Sequence, residues 1–173
     1  AGELGIRDGA ATDMARNFAK RGLIHYEKYH ELKLTEKGRT KALVLIRKHR
    51  LWEALLFKLF DIKLGEIHRE AELLEHQTSD FLAGKINDYL GNPQYDPHGD
   101  PIPSTKGIIP GQSFIIPLFK TKEGKQYGVK RLFSSEDEFF DFCEINGIQI
   151  GEEILVERHY PSQGMVALKV GDS

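Results

Sequence analysis

Four residues of one short segment, His68, Glu72, Glu75 and His76, stand at i, i+4, i+7 and i+8. At about 3.6 residues per turn they share one face of a helix. Two imidazoles and two carboxylates in one stripe form a surface for a divalent cation. His49 and Glu53, again at i and i+4, lie in the preceding segment. If the two helices pack with these faces together, six nitrogen and oxygen ligands converge. Asp96 and His98 follow in a Pro-rich tract, spaced to pinch one ion from a loop. A single His/Glu pair at helical spacing is ordinarily a solvated face; it is the six together that point to a cation.

The same residues could in principle serve a metalloenzyme, which is the alternative to a regulatory role. No HExxH occurs, and Glu72 and His76 are one residue too far apart for the Glu-x-x-His pattern of di-iron bundles. Cys143 sits inside FFDFC, where core packing accounts for it, and forms no evident nucleophile pair with His159. A non-enzymatic protein is therefore expected. A pure interaction module is the remaining alternative.

The elements that must position these residues can be read locally. Residues 8–21 carry Ala11, Met14, Ala15 and Phe18 on one apolar face, with Gly22 as a stop, and are expected to be a helix. LIHY and ELKL flank Glu27–His30 and are expected to form a hairpin with a four-residue tip. Helix followed by basic hairpin is the winged helix-turn-helix order. Thr35 is a candidate cap for a long helix, followed by helices over Glu66–Gln77 and from Ser79 to Leu90. Three helices with broad apolar faces suit a small bundle or a dimer interface, with Trp52, Phe57, Phe60 and Phe81 as its expected large anchors. The apolar faces bearing Leu51, Trp52, Leu55 and Phe81 suggest a homodimer.

Five of the seven prolines fall between Pro93 and Pro110, which excludes a regular element there. Beyond it, FIIPLF, KQYGVKRLF, EEILVERH and MVALKV are four strand candidates, with a short helix in EDEFFDFCEING. Short strands between Gly and Pro turns suggest a small barrel. The expected fold is thus mainly α with small β parts. It divides into a helix and hairpin of winged helix-turn-helix order (1–38), a helical part bearing the ligand stripes and the dimer face (39–92), a Pro-rich linker (93–112) and a barrel (113–173).

Residues 1–50 carry 12 Lys+Arg against 6 Asp+Glu, whereas residues 51–173 carry 12 against 20. The first part can sit on a polyanion and the rest would not. No apolar run is long enough to span a bilayer, and no export leader is evident at the start. A single cysteine permits no internal disulfide, which fits a cytoplasmic location.

LTEKGRTKALVLIRKHRLWEALL, IHREAELLEHQTSD and GNPQYDPHGDPIP, in this order and spacing, closely resemble the diphtheria toxin repressor and manganese transport repressor family. The resemblance covers nearly the whole chain; RKHRLWE, EHxxSD and PHGxPIP are its specific motifs. It implies a winged helix domain, a helical dimerisation domain and an SH3-like (FeoA-type) C-terminal domain. It also implies that metal binding favours a dimer able to bind double-stranded operator DNA. By position, His49, Glu53 and His68 match the family's ancillary-site ligands, and Glu72, Glu75 and His76 its primary-site ligands. In manganese-type members the position of His49 also serves the main binuclear site. Asp96 stands where a cysteine is common, ahead of the matched His98. One acidic barrel residue can complete the ancillary site, and Glu136 and Glu138 lie near that position.

Two departures bear on function. In the family, two further helices precede residues resembling AGELGI, and the first supplies a primary ligand. The chain is therefore expected to hold only part of the helix-turn-helix and of the primary site. Glu72 also replaces the cysteine of iron-type members. Oxygen and imidazole ligands suit Mn(II), with Fe(II) as the alternative. On the first helix, Gly9, Ala10, Thr12 and Asp13 are expected to meet base edges, and Arg7, Arg16, Lys20 and Lys28 the DNA backbone.

Overall fold

The computed structural model describes residues 8–27, 30–111 and 114–171. Among the described residues there are five α-helices and two small antiparallel sheets: α1 Asp8–Lys20, β1 Ile24–His25, β2 Lys33–Leu34, α2 Glu36–Phe60, α3 Leu64–Glu75, α4 Asp80–Tyr89, β3 Lys125–Gly128, α5 Asp137–Ile145, β4 Glu153–Tyr160 and β5 Met165–Val170. The mainly helical reading holds. One sheet pairs β1 with β2, and the other has the order β3-β4-β5.

Local chemistry sets the helix starts. Thr35 caps α2, its hydroxyl accepting from Gly38 N at 3.0 Å, and Ser79 caps α4 by accepting from Leu82 N at 3.1 Å. Thr35 also joins α2 to the segment after α1: its hydroxyl donates to Gly22 O at 2.7 Å and its amide to Leu23 O at 3.0 Å. Gly38 lies directly against the Leu23 carbonyl, where any Cβ would collide with backbone. Substituting that glycine therefore forces α2 away from β1.

Three expectations need correcting. The hairpin keeps only two paired residues in each strand, so its connection spans 26–32 rather than four residues; Lys28 and Tyr29 lie outside the described residues. FIIPLF is not a strand. Its Pro117 cannot donate to a ladder, and Leu118–Lys120 instead form a 3-10 turn. Helix α3 runs two residues earlier than expected, which leaves His76 as its C-cap. The Thr78 hydroxyl donates to Leu74 O at 2.8 Å and its amide to Glu75 O at 3.3 Å, closing the helix there.

The helical part has two small cores. Leu56, Ile67 and Ala71 join α2 to α3, while Leu51, Ala83, Ile86 and Ile102 join α2, α4 and the Pro-rich tract. Leu51 is fully buried inside the protomer, so it does not belong to an exposed apolar face as expected. Trp52 is half-buried and its indole N–H donates to the Thr78 hydroxyl at 2.7 Å. Phe57, Phe60 and Phe81 are exposed rather than anchors of this core. The third core, Val129, Leu132, Phe140, Cys143 and Ile154, lies under the C-terminal sheet and α5 and takes in Leu64 from the start of α3.

Candidate metal centre

Packing of α2 against α3 brings His49, Glu53 and His68 to one point. His49 Nε2 lies 3.0 Å from Glu53 Oε1 and 3.0 Å from His68 Nδ1, and His68 Nδ1 lies 3.2 Å from Glu53 Oε1. Ligand bonds of about 2.1 Å at right angles separate neighbouring donors by about 3.0 Å, so the triangle has the dimensions of one face of an octahedral cation site. Glu53 is buried, at 3% exposure, whereas the His68 side chain is 69% exposed, which leaves this face open to solvent.

Glu75 orients the triangle from behind. Its Oε2 is 2.7 Å from His49 Nδ1. An ionised carboxylate has no proton to give, so Nδ1–H donates, and neutral His49 then presents the Nε2 lone pair to Glu53 and His68. That arrangement is repulsive unless a proton or a cation lies between them. Burial works against charging His49, but hydrogen bonds to and charges on Glu53 and Glu75 prevail and hold its pKa above the ordinary value. Burial likewise opposes ionisation of Glu53, yet His49, with His98 and His68, keeps its carboxyl below the usual range. A proton on His49 and a cation at the triangle would therefore compete for the same Nε2.

A second cluster shares Glu53. Ligand atoms of Glu53, Asp96 and His98 lie within 4.8 Å of one another, and all three residues are buried. His98 Nε2 donates to the Leu64 carbonyl at 3.0 Å, so its Nδ1 lone pair faces Glu53 Oε1, 3.8 Å away. Burial and the charge of Glu53 push the Asp96 carboxyl up to about 7, against the Asp100 amide bond and the charge of Arg50. The donor set is entirely oxygen and nitrogen, which fits a hard divalent cation.

Of the remaining candidates Glu75 alone is drawn in, through its 2.7 Å contact with His49, while Glu72 and His76 stay at the surface. Glu75 is buried and its Oε1 lies 3.2 Å from His76 Nε2, but the His76 side chain is 62% exposed. Glu72 is exposed, and among the described residues it makes no hydrogen bond or ion pair. Glu136 and Glu138 are exposed, and among the described residues neither joins a metal-type cluster. On α1, Gly9, Ala10, Asp13, Arg16 and Lys20 are exposed and Thr12 is half-buried; Arg16 lies 3.4 Å from Asp13. Arg7 lies outside the described residues, as does Lys28. Sequence reasoning missed Arg50, Asp100 and Arg131, which surround the second cluster; Asp100 is two residues beyond His98, but its partners come together only in three dimensions.

A family model described as iron dependent repressor, metal binding and dimerisation domain matches residues 35–104, the stretch that holds both clusters. The diphtheria toxin repressor of Corynebacterium glutamicum is 28% identical over 142 residues, 77% of this chain and 62% of that protein. A probable metal transport system membrane protein of Chlamydia trachomatis is 40% identical over 84 residues, 49% of this chain and 18% of that protein. The solved structure of a manganese-dependent transcriptional repressor in complex with manganese superposes with a TM-score of 0.90 at 32% identity, covering all of this chain and 78% of that one. The chain belongs to the diphtheria toxin repressor and manganese transport repressor family. It spans less than two thirds of the length of the two curated relatives named here. Among the described residues, those matched to the ancillary ligands, His49, Glu53 and His68, are brought together, and Glu75, matched to a primary ligand, meets His49. No helix among the described residues is long and apolar enough to cross a membrane.

Proposed function

We propose that the chain belongs to a cytoplasmic, Mn(II)-activated transcriptional repressor with no catalytic activity. The observation that carries this is the triangle of His49 Nε2, Glu53 Oε1 and His68 Nδ1, whose edges of 3.0, 3.0 and 3.2 Å suit one cation. Asp96 and His98 extend the site through Glu53, and Glu72, Glu75 and His76 supply the carboxylates and imidazole of a second position. The diphtheria toxin repressor and the manganese-dependent repressor named above favour this reading over the metalloenzyme alternative. Hard donors throughout, including Glu72 and Asp96 in place of thiolates, favour Mn(II) over Fe(II).

In this reading α1 is the recognition helix and the β1–β2 hairpin the wing of a winged helix domain, and the C-terminal sheet belongs to an SH3-like domain. Gly9, Ala10, Thr12 and Asp13 face bases, while Arg7, Arg16, Lys20 and Lys28 serve phosphates. A homodimer forms over the exposed Phe57, Phe60, Leu73 and Phe81. A cation ties α2 to α3 and shifts the population toward the DNA-binding geometry. The test is retardation of promoter DNA by the full-length protein with and without Mn(II). Retardation only with the metal is expected; equal binding in both states, or none in either, contradicts the reading. Sedimentation of that protein at micromolar concentration should give a dimer.

A further inference from the structure

The loop carrying Asp96 and His98 is closed on itself. Asp96 Oδ1 accepts from the amides of His98 and Asp100, each at 2.9 Å, and the Asp96 amide donates to Asp100 O at 2.9 Å. Such a turn moves as one piece. Its outward contacts run both ways: His98 Nε2 donates to Leu64 O at 3.0 Å and Arg50 reaches the loop from α2, while a second set reaches the C-terminal part of the chain. The Leu132 amide donates to His98 O at 2.9 Å. The His98 ring meets Phe140 of α5 edge-on, with centroids 5.2 Å apart. Gly99, at a φ of +86°, abuts the Lys130 carbonyl, where a Cβ would collide.

Asp100 completes these contacts. Arg131 grips its carboxylate with two nitrogens, Nη2 at 3.0 Å from Oδ1 and Nε at 3.2 Å from Oδ2. Arg50 of α2 reaches the same Oδ1 at 3.3 Å, and its Nε lies 3.5 Å from Asp96 Oδ2. One carboxylate therefore bridges an arginine of the helical domain and an arginine of the C-terminal domain. A two-nitrogen grip on a carboxylate also fixes orientation.

We propose that Asp100 and Arg131 latch the C-terminal domain onto the Asp96–His98 loop, so that loading a cation on that loop and docking the C-terminal domain are one coupled equilibrium. This rests on reading Glu53, Asp96 and His98 as cation ligands. The coupling does not require the C-terminal domain to donate a ligand. When the domain leaves, the loop loses Leu132, Phe140 and Arg131 together, and only Arg50 and the Leu64 carbonyl are left to hold Asp96 and His98 in register with Glu53. Linkage makes the effect reciprocal: the factor by which docking strengthens cation binding is the factor by which the cation strengthens docking.

Arg131→Ala in the full chain separates this from simple electrostatics. Removing a positive charge near a cation site should, by Coulomb's law alone, strengthen cation binding. The latch requires weakening instead, roughly fivefold for a partly exposed bidentate pair. Two readouts are taken: Mn(II) affinity by titration calorimetry, and hydrogen exchange at the Leu132 amide with and without Mn(II). In the parent, Mn(II) should slow exchange at Leu132. In Arg131→Ala, exchange should rise and affinity should fall by similar factors. Unchanged or increased affinity alongside faster exchange would overturn the latch while leaving the cation site standing. Failure of the parent chain to bind Mn(II) would overturn both the latch and the ligand reading beneath it.

Discussion

The ligand stripe of α3 divides into two halves that the fold treats differently. At its start, His68 meets His49 and Glu53 of α2 within 3.2 Å. At its end, Glu72 points to solvent and His76 caps the helix, and only Glu75 is buried. The same residue types at the same spacing give a preassembled triangle in one place and an open set of donors in the other. The difference lies in what stands opposite. The first half faces the two α2 ligands, fixed by the Leu56–Ile67–Ala71 core. In the second half only Glu75 has an α2 partner, His49 at 2.7 Å, and among the described residues nothing of α2 reaches Glu72 or His76. Spacing on one helix makes ligation possible; a second element makes it happen.

The sharpest way to break this comparison is to remove the residue both clusters share. Glu53→Gln should abolish most of the stabilisation that Mn(II) gives the parent. That stabilisation is about 2.7 kcal/mol at a hundredfold excess over Kd, roughly 5–10 °C in Tm for a chain of this size. Thermal melts with and without Mn(II) measure it directly, and a full Mn(II) shift in the variant would show that the triangle is not the site.

Next in size is the effect of pH. Burial and Glu53 raise Asp96 to about 7, and Glu53 and Glu75 hold His49 above its ordinary value despite its burial. The folded apo-protein therefore holds protons that the unfolded chain releases near pH 4 and 6.5. These two groups contribute apo stability on the acid side that is lost as pH rises through about 7 and through the raised His49 value. Glu53, with its lowered pKa, contributes in the opposite sense, and its share is lost only as pH falls below the usual carboxylate range. A cation must displace the protons on Asp96 and His49, so Mn(II) affinity should climb from pH 5.5 to 8. Calorimetry in buffers of different ionisation enthalpy should show protons released on binding near neutrality.

Glu72→Ala sharpens the other half. Its exposure predicts a change in apo stability within about 0.5 kcal/mol. Mn(II) binding at the triangle should be retained, while Mn(II)-dependent DNA retardation by the full-length protein should weaken. Glu72→Cys should move preference toward iron, cobalt or nickel. Retardation by the Ala variant equal to the parent's would make Glu72 a solvated helix residue. The smallest effect is expected at Lys28, where replacement by Ala should lower DNA affinity across sequences and reduce the salt slope by about 1.

What could be read from the sequence follows the same division. Thr35 and Ser79 announce helix starts because capping is decided within four residues. The facing of His49, Glu53 and His68 followed from helical period plus one packing assumption, which the α2–α3 core satisfies. Leu51 looked like a candidate for an exposed face because periodicity cannot tell an intramolecular partner from a second copy; Ile102, arriving from the Pro-rich tract, decided the matter. FIIPLF misled because apolar content outweighed the missing amide of Pro117. Asp100 carried no local signal at all, since both arginines it bridges are at least 31 residues away.

The most direct test of the central claim is an anomalous-scattering map from crystals of the protein grown with Mn(II). A peak within bonding distance of His49 Nε2, Glu53 Oε1 and His68 Nδ1 is the expected result. A fully occupied ion elsewhere, with those three atoms unligated, would contradict it.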